Sequence, residues 1–222
     1  MTAPFRICFV CTGNICRSPM AESVFRARLA EAGLDGLVEV DSAGTGGWHE
    51  GDGADPRTVA VLRAGGYEHA HTARQFHASW FDRLDLVIAL DSGHLRELRR
   101  LAPTARDAAK VRLLRAYGTG PATEATADSG SAPVSAPASA PASDMDPSDL
   151  GLFDDLDVPD PYYGGFEGFE ECLEMVETAS EGLLAAVRAA LPGRTVVTAR
   201  APEHDKRRAA REPDQPQQKE SA

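Results

Sequence analysis

The apolar positions of this chain change their spacing several times, and each change predicts an element. FRICFV (5–10) is a nearly continuous apolar run of strand length, as expected of a strand covered on both faces. From about Ser18 to Ala32 the spacing becomes helical: Met20, Val24, Phe25 and Leu29 form a stripe, and Gly33 is the stop signal. LVEVDSAGT (37–45) reads as a second strand that ends in a turn of small residues, and GGWHEGDGADP (46–56) as a loop. Pro56 suits the first turn of a helix running to about Ala64 and closed by Gly65 and Gly66. DLVIALD (85–91) predicts a third buried strand, Ser92 the N-cap of a helix to about Leu101, and KVRLL (110–114) a fourth strand. FEGFEECLEMVETASEGLLAAVRAAL (166–191) is a long amphipathic helix with Phe169, Cys172, Val176, Leu183 and Val187 facing inward.

Strands alternating with helices imply right-handed βαβ units. The expected fold is α/β: a small doubly wound, four-stranded parallel sheet with helices on both faces. In such sheets ligands bind beyond the carboxyl ends of the strands, which favours the loop after the first strand.

Composition changes this picture in one place. Residues 118–150 hold almost no large apolar side chain, and Ser-Ala-Pro recurs there at 131, 135 and 139. Such a stretch cannot bury enough surface to offset its ordering entropy. The expectation is one domain over 1–192, interrupted by a disordered insertion at 118–150, with order resuming near Leu152 and a disordered tail at 193–222. The formal net charge of −11 argues against nucleic acid and against an anionic membrane surface as partners. No apolar stretch approaches the length of a membrane span, and the start lacks the regions of a secretory signal. Four cysteines in 222 residues do not read as a disulfide scaffold; a reduced, cytoplasmic protein is expected, with Cys8 and Cys172 as inert core thiols.

The candidate chemistry lies in VCTGNICRSP (10–19). A turn passing from a strand straight into a helix points several backbone N–H groups into one hollow, which binds anions. Gly13 permits close backbone approach, and Asn14 tolerates left-handed dihedrals. Arg17 adds a planar fork matched to two phosphate oxygens. Helix N-termini and cations favour a thiolate, so Cys11 is placed to be a nucleophile, and Ser18 can donate its hydroxyl to that sulfur. The phosphate-binding loop is then Thr12, Gly13, Asn14, Ile15, Cys16, Arg17 and Ser18. A nucleotide-binding loop would need Gly-Lys-Ser/Thr, a zinc site a second ligand pair, and a dithiol redox motif a shorter spacing. His69, His71 and His77 are close in sequence, but a merely polar loop is the expectation there. No metal and no cofactor are implied.

VCTGNICRSPMAE resembles the signature of the low-molecular-weight protein tyrosine phosphatases, bacterial type: Cys, five residues, Arg and Ser near the N-terminus. DPYYG (160–164) resembles the family's second motif, and DSAGT (41–45) and AHTARQ (70–75) resemble other family segments. The match spans about 1–117 and 152–192, and the Ser-Ala-Pro insertion departs from the family pattern. The resemblance implies hydrolysis of phosphotyrosine, or of aryl phosphate monoesters, through a cysteinyl-phosphate. Cys11 would be the nucleophile, Arg17 and the N–H groups of residues 12 to 17 would hold the phosphoryl oxygens, and Asp160 would be the general acid and then base. Asp154, Asp155 and Asp157, if close, would favour the protonated form of Asp160. Asn14, Ser42 and His71 would brace the loop. Trp48, His49, Tyr162 and Tyr163 would line the substrate cleft, with plain packing as the other reading of the two tyrosines. Cys16 either fills the underside of the loop or closes a protective disulfide with Cys11. The expected partner is a phosphotyrosine-containing protein or an aryl phosphate, and a monomer is expected. The competing readings are a thiol-dependent arsenate reductase on the same fold and an inactive phosphotyrosine-binding module.

Overall fold

The computed structural model describes residues 3–118 and 156–191. The first apolar run forms β1 (Phe5–Cys11), one residue longer than its apolar pattern, so that Cys11 closes the strand. Then follow α1 (Arg17–Glu31), β2 (Val38–Gly44), α2 (Pro56–Ala64), β3 (Leu86–Ala89), α3 (Ser92–Leu101), a single turn α4 (Ala105–Ala108), β4 (Val111–Leu113) and α5 (Phe166–Ala190). The four strands pair in parallel in the order β2-β1-β3-β4. This is the doubly wound α/β sheet expected.

β1 is central, and the chain leaves it in one direction for β2 and returns on the other side for β3. Its carboxyl end is therefore the topological switch point, where a crevice opens. Cys11 pairs with Gly44 and Val10 with Ala89 at that edge, which puts Cys11 at the mouth of the crevice.

Alternation along β1 divides the core. Ile7, Phe9 and Cys11 face a cluster with α1 and α5 that includes Phe25, Phe169, Val176 and Leu183. Cys8 and Val10 face a second cluster with Phe76, Phe81, Leu95 and Leu98. Phe9 and Phe25 meet edge to face at 5.7 Å, and burying each such ring contributes roughly 1.5–3 kcal/mol. The first nine residues of α1, Arg17 to Phe25, are all buried, polar ones included, which is wider than the stripe its spacing predicts. The loop before α1 thus delivers polar side chains directly into the interior.

Two corrections follow from end effects. Asp91, not Ser92, caps α3: its carboxylate accepts from the backbone N of His94, while Ser92 is the first helical residue. The short turns at Ala78–Asp82 and Ala105–Ala108 have no sequence expectation behind them, because four or five residues carry no period, and the fourth strand ends at Leu113, one residue short of its expected end, where the turn Leu114–Tyr117 begins. The insertion beyond Gly118, Leu152 and the tail at 193–222 lie outside the described residues. No described helix is long and apolar enough to cross a membrane.

Candidate active site

The loop between β1 and α1 turns through Asn14, whose φ is +57°. An L-residue with a Cβ adopts that region at a cost, and here the side chain supplies the compensation. Fully buried, Asn14 donates from Nδ2 to Ser18 Oγ (2.8 Å) and Ser42 Oγ (2.9 Å). Its Oδ1 accepts from the Arg74 backbone N at 3.0 Å, and its backbone O lies 2.6 Å from His71 Nε2. Ser42 in turn donates to Glu22 Oε2 at 2.5 Å, and Arg26 pairs with Glu22 Oε1 at 2.7 Å. Ser18 Oγ lies 3.0 Å from Cys11 Sγ and 3.3 Å from the Ala43 carbonyl. Because Asn14 donates to Ser18, the serine's own hydrogen is left for one of those two acceptors. Asn14, Ser18, Ser42 and His71 thus come together beneath the loop.

Arg17 is 3% exposed and points along the loop's open side. Nη1 donates to Asp91 Oδ2 at 2.8 Å and to the Val158 carbonyl at 3.1 Å. Nη2 donates to Asp160 Oδ2 at 2.8 Å and reaches Thr12 Oγ1 at 3.4 Å. Burial opposes the charge on Arg17, but Cys11, Asp160 and Asp91 around it prevail and hold its pKa above the ordinary value. Burial likewise opposes the charge on Asp91, and the contacts from His94, its backbone N–H included, with the charge of Arg17, override it; the Asp91 carboxyl is held well below the usual carboxylate range.

Asp160 reaches the site from far along the chain on a segment tied down at several points. Val158 N donates to the Leu90 carbonyl at 2.8 Å, and Asp157 accepts from Ser92 N (2.6 Å) and Ser92 Oγ (3.1 Å). Asp157, one of the three acids that would favour a protonated Asp160 if close, gives both its carboxylate oxygens to Ser92. Asp154 and Asp155 lie outside the described residues. The charged partner of Asp160 is Arg17.

Above the loop is a cavity of about 300 Å³. Cys11, Thr12, Gly13, Ile15, Cys16 and Arg17 form its floor, and Trp48, His49, Asp160, Tyr162 and Tyr163 its rim. A Cβ at position 13 would stand 3.0 Å from His49 Cδ2, so the glycine lets the rim close over the loop. Trp48 is 73% and Tyr163 92% exposed, so neither ring is buried in the core; Tyr163 meets the Tyr162 ring edge to face at 5.0 Å. Arg57 braces the rim. It pairs with Asp55 at 2.9 Å, lies 4.4 Å over the Phe169 ring, and donates to the carbonyls of Tyr162 (3.1 Å) and Gly164 (3.2 Å).

All four cysteines are buried, and among the described residues no disulfide forms. Burial pushes the thiols of Cys8 and Cys172 up to about 12. Burial, then Asp55 and Cys11, pushes that of Cys16 up to about 12 as well, which suits the reading of Cys16 as filler beneath the loop.

Asp91, His94, Glu22, Asp55 and Arg57 are the site residues that sequence reasoning misses. Only Asp91 left a signal: an Asp-Ser pair directly after a buried strand, at the sheet's carboxyl edge.

A hollow that opens from a central parallel strand onto a buried guanidinium is suited to a tetrahedral oxyanion, and this places the chain among α/β enzymes that handle phosphate on a backbone loop. Comparison with known proteins narrows that class. The family model described as low molecular weight phosphotyrosine protein phosphatase matches residues 6–128 and 150–192. A low molecular weight protein-tyrosine-phosphatase from Streptomyces coelicolor is 64% identical over 190 residues, 86% of this chain and 98% of the relative. Low molecular weight protein-tyrosine phosphatase A from Mycobacterium tuberculosis is 41% identical over 183 residues, 82% of this chain and 91% of that one. The crystal structure of YfkJ from Bacillus subtilis superposes with a TM-score of 0.65 at 32% identity, covering 86% of this chain and 98% of the other. The chain belongs to the low molecular weight phosphotyrosine protein phosphatase family.

Proposed function

We propose that this chain hydrolyses phosphotyrosine and related aryl phosphates in two steps, with Cys11 as the nucleophile. The thiolate of Cys11 attacks phosphorus; an S–P bond forms as the P–O bond to the phenol breaks. Arg17 and the backbone N–H groups of residues 12 to 17 hold the equatorial oxygens, where charge spreads in the transition state. Asp160 gives its proton to the departing phenolate. Water then attacks the cysteinyl-phosphate, returns a proton to Asp160, and releases phosphate and the thiolate. Ser18, 3.0 Å from the sulfur, steadies that thiolate as a leaving group.

The observation that carries this reading is the meeting of Cys11, Arg17 and Asp160 around one cavity, although Asp160 is 143 positions from Arg17 in the chain. The aromatic rim suits a flat phenyl ring. A chain of thiols to relay a disulfide, which arsenate reduction would need, is poorly served by Cys172 at 2% exposure. The reduced, cytoplasmic setting inferred from the sequence suits an unprotected thiolate.

A stopped-flow burst of phenol from an aryl phosphate, absent in Cys11→Ser, tests the proposal. Unchanged turnover in Cys11→Ser overturns it.

A further inference from the structure

The mechanism above gives Arg17 its task but leaves a buried imidazole beside it unused. His94 stands in the first turn of α3, 4% exposed. Its Nε2 lies 2.9 Å from Thr12 Oγ1, and its Nδ1 lies 2.9 Å from Asp91 Oδ1. Asp91 Oδ2 accepts from Arg17 Nη1 at 2.8 Å, and Arg17 Nη2 reaches Thr12 Oγ1 at 3.4 Å. Four side chains therefore form a closed ring: Arg17, Asp91, His94, Thr12 and back to Arg17. Two of them, Thr12 and Arg17, also line the cavity.

The donors and acceptors of this ring are mutually consistent. Nδ1 faces a carboxylate and so carries its hydrogen, although it meets Asp91 off the N–H direction, as a charge contact rather than a well-aligned hydrogen bond. Nε2 then accepts from the Thr12 hydroxyl, and the Thr12 oxygen is left to accept from Arg17. Asp91 receives from the opposite end of the same guanidinium. The imidazole is thus the strut between the two groups that fix the two nitrogens of the Arg17 fork.

Packing does not call for it. Leu95 and Leu98 supply the apolar face of α3. The helix cap is made to the backbone N of His94, at 2.7 Å, and would survive loss of the ring. The strut matters when substrate binds. The phosphoryl group must take Nη2 from Asp160, and Arg17 is then held through Nη1 on Asp91 and through Thr12, both of them against His94.

We propose that His94 is a positioning residue for phosphoryl transfer: it bridges Thr12 and Asp91 and thereby holds the Arg17 fork in register with the phosphate loop after Asp160 has let go. This rests on the reading of Cys11 and Arg17 given above. The test is steady-state kinetics on an aryl phosphate with the full chain, comparing His94→Ala, His94→Gln, Thr12→Val and the Thr12→Val/His94→Ala double variant. His94→Ala is expected to lower kcat by about tenfold or more with KM little changed, as for loss of an orientation made good only in the transition state. His94→Gln, whose amide can reach Thr12, is expected to restore most of the loss. The double variant should be no worse than the poorer single one, because both changes open the same ring. Wild-type kcat in His94→Ala, no rescue by glutamine, or fully additive losses would each overturn the proposal. If His94→Ala does not unfold cooperatively, Thr12→Val decides alone, and wild-type kcat there is fatal to the idea. Cys11→Ser run alongside separates the two claims. Turnover surviving in it sinks the nucleophile, whereas an inactive Cys11→Ser beside an unaltered His94→Ala sinks only the strut.

Discussion

Arg17 and Asp160 hold each other across the mouth of the cavity, Nη2 to Oδ2 at 2.8 Å. These are the two groups proposed to act at opposite ends of the phosphoester bond, the guanidinium on the phosphoryl oxygens and the carboxyl on the leaving oxygen. A bound phosphate dianion competes with Asp160 for the same nitrogen. The pair is half-open to solvent on the Asp160 side, so breaking it is cheap, and the released carboxyl, which takes up a proton once it has left Arg17, stands next to the leaving group.

Removing the acid should therefore have two opposite effects. Asp160→Ala is expected to lower kcat on phenyl phosphate by about 10² to 10⁴-fold, the usual contribution of a general acid. It should also bind inorganic phosphate more tightly, because Arg17 no longer has a competing anion. Competitive inhibition by phosphate measures the second effect; a weaker or equal inhibition constant in the variant would contradict the competition.

Asn14 separates backbone strain from side-chain support. Asn14→Ala keeps a Cβ at φ +57° and loses the bonds to Ser18, Ser42 and Arg74, for a combined loss of roughly 3 kcal/mol or more. Asn14→Gly loses the same bonds but relaxes the backbone. Urea unfolding should rank stability Asn, then Gly, then Ala; alanine equal to or above glycine would mean that the left-handed turn carries no strain.

The split between what the chain announces and what it conceals follows the range of the interaction. Helix α2 runs from Pro56 to Ala64 as its Pro and Gly signals say, since capping is local. Cys11, Arg17 and Ser18 were legible because one turn of backbone brings them together, and Asn14 because a left-handed turn favours its residue type. Asp160 was legible only through its resemblance to a known motif, not through spacing. Asp91 and Arg57 are ordinary charged residues in the sequence. Their significance arises when β3 lands beside β1 and when α2 packs under the Tyr162 segment, and neither event has a local signature. The misplaced cap at Ser92 has the same origin: Asp and Ser are both good caps, and the choice between them was made by Asp157, which engages Ser92 from 65 residues away.

Arg57 offers a test of how firmly the acid must be held. It ties the carbonyls of Tyr162 and Gly164 to α2 and never lines the cavity. Arg57→Ala should loosen the segment that carries Asp160 without touching phosphate binding. The expected result is a fall in kcat of about tenfold on phenyl phosphate, whose phenolate needs a proton, and a smaller fall on p-nitrophenyl phosphate, whose phenol is more acidic. Equal losses on both substrates would mean that Arg57 serves the fold generally and not the acid.

Asp91 gives the acid limb of stability. Its carboxyl is held below the usual range in the folded chain by His94 and Arg17, against the cost of burial, whereas in the unfolded chain it titrates near 4. The unfolded state thus binds the proton more readily. The stabilisation is fully present above the unfolded value and is lost progressively as pH falls below about 4 toward the folded value. Asp91→Asn cannot titrate and meets His94 and Arg17 with an uncharged amide in place of the carboxylate. It should be less stable than the wild type at neutral pH, and its Tm should fall less steeply below about pH 4, so that the two curves converge in acid. Parallel Tm curves across that window, measured by calorimetry on both proteins, would show that the pairing of Arg17 with Asp91 contributes nothing to the folded state that protonation can remove.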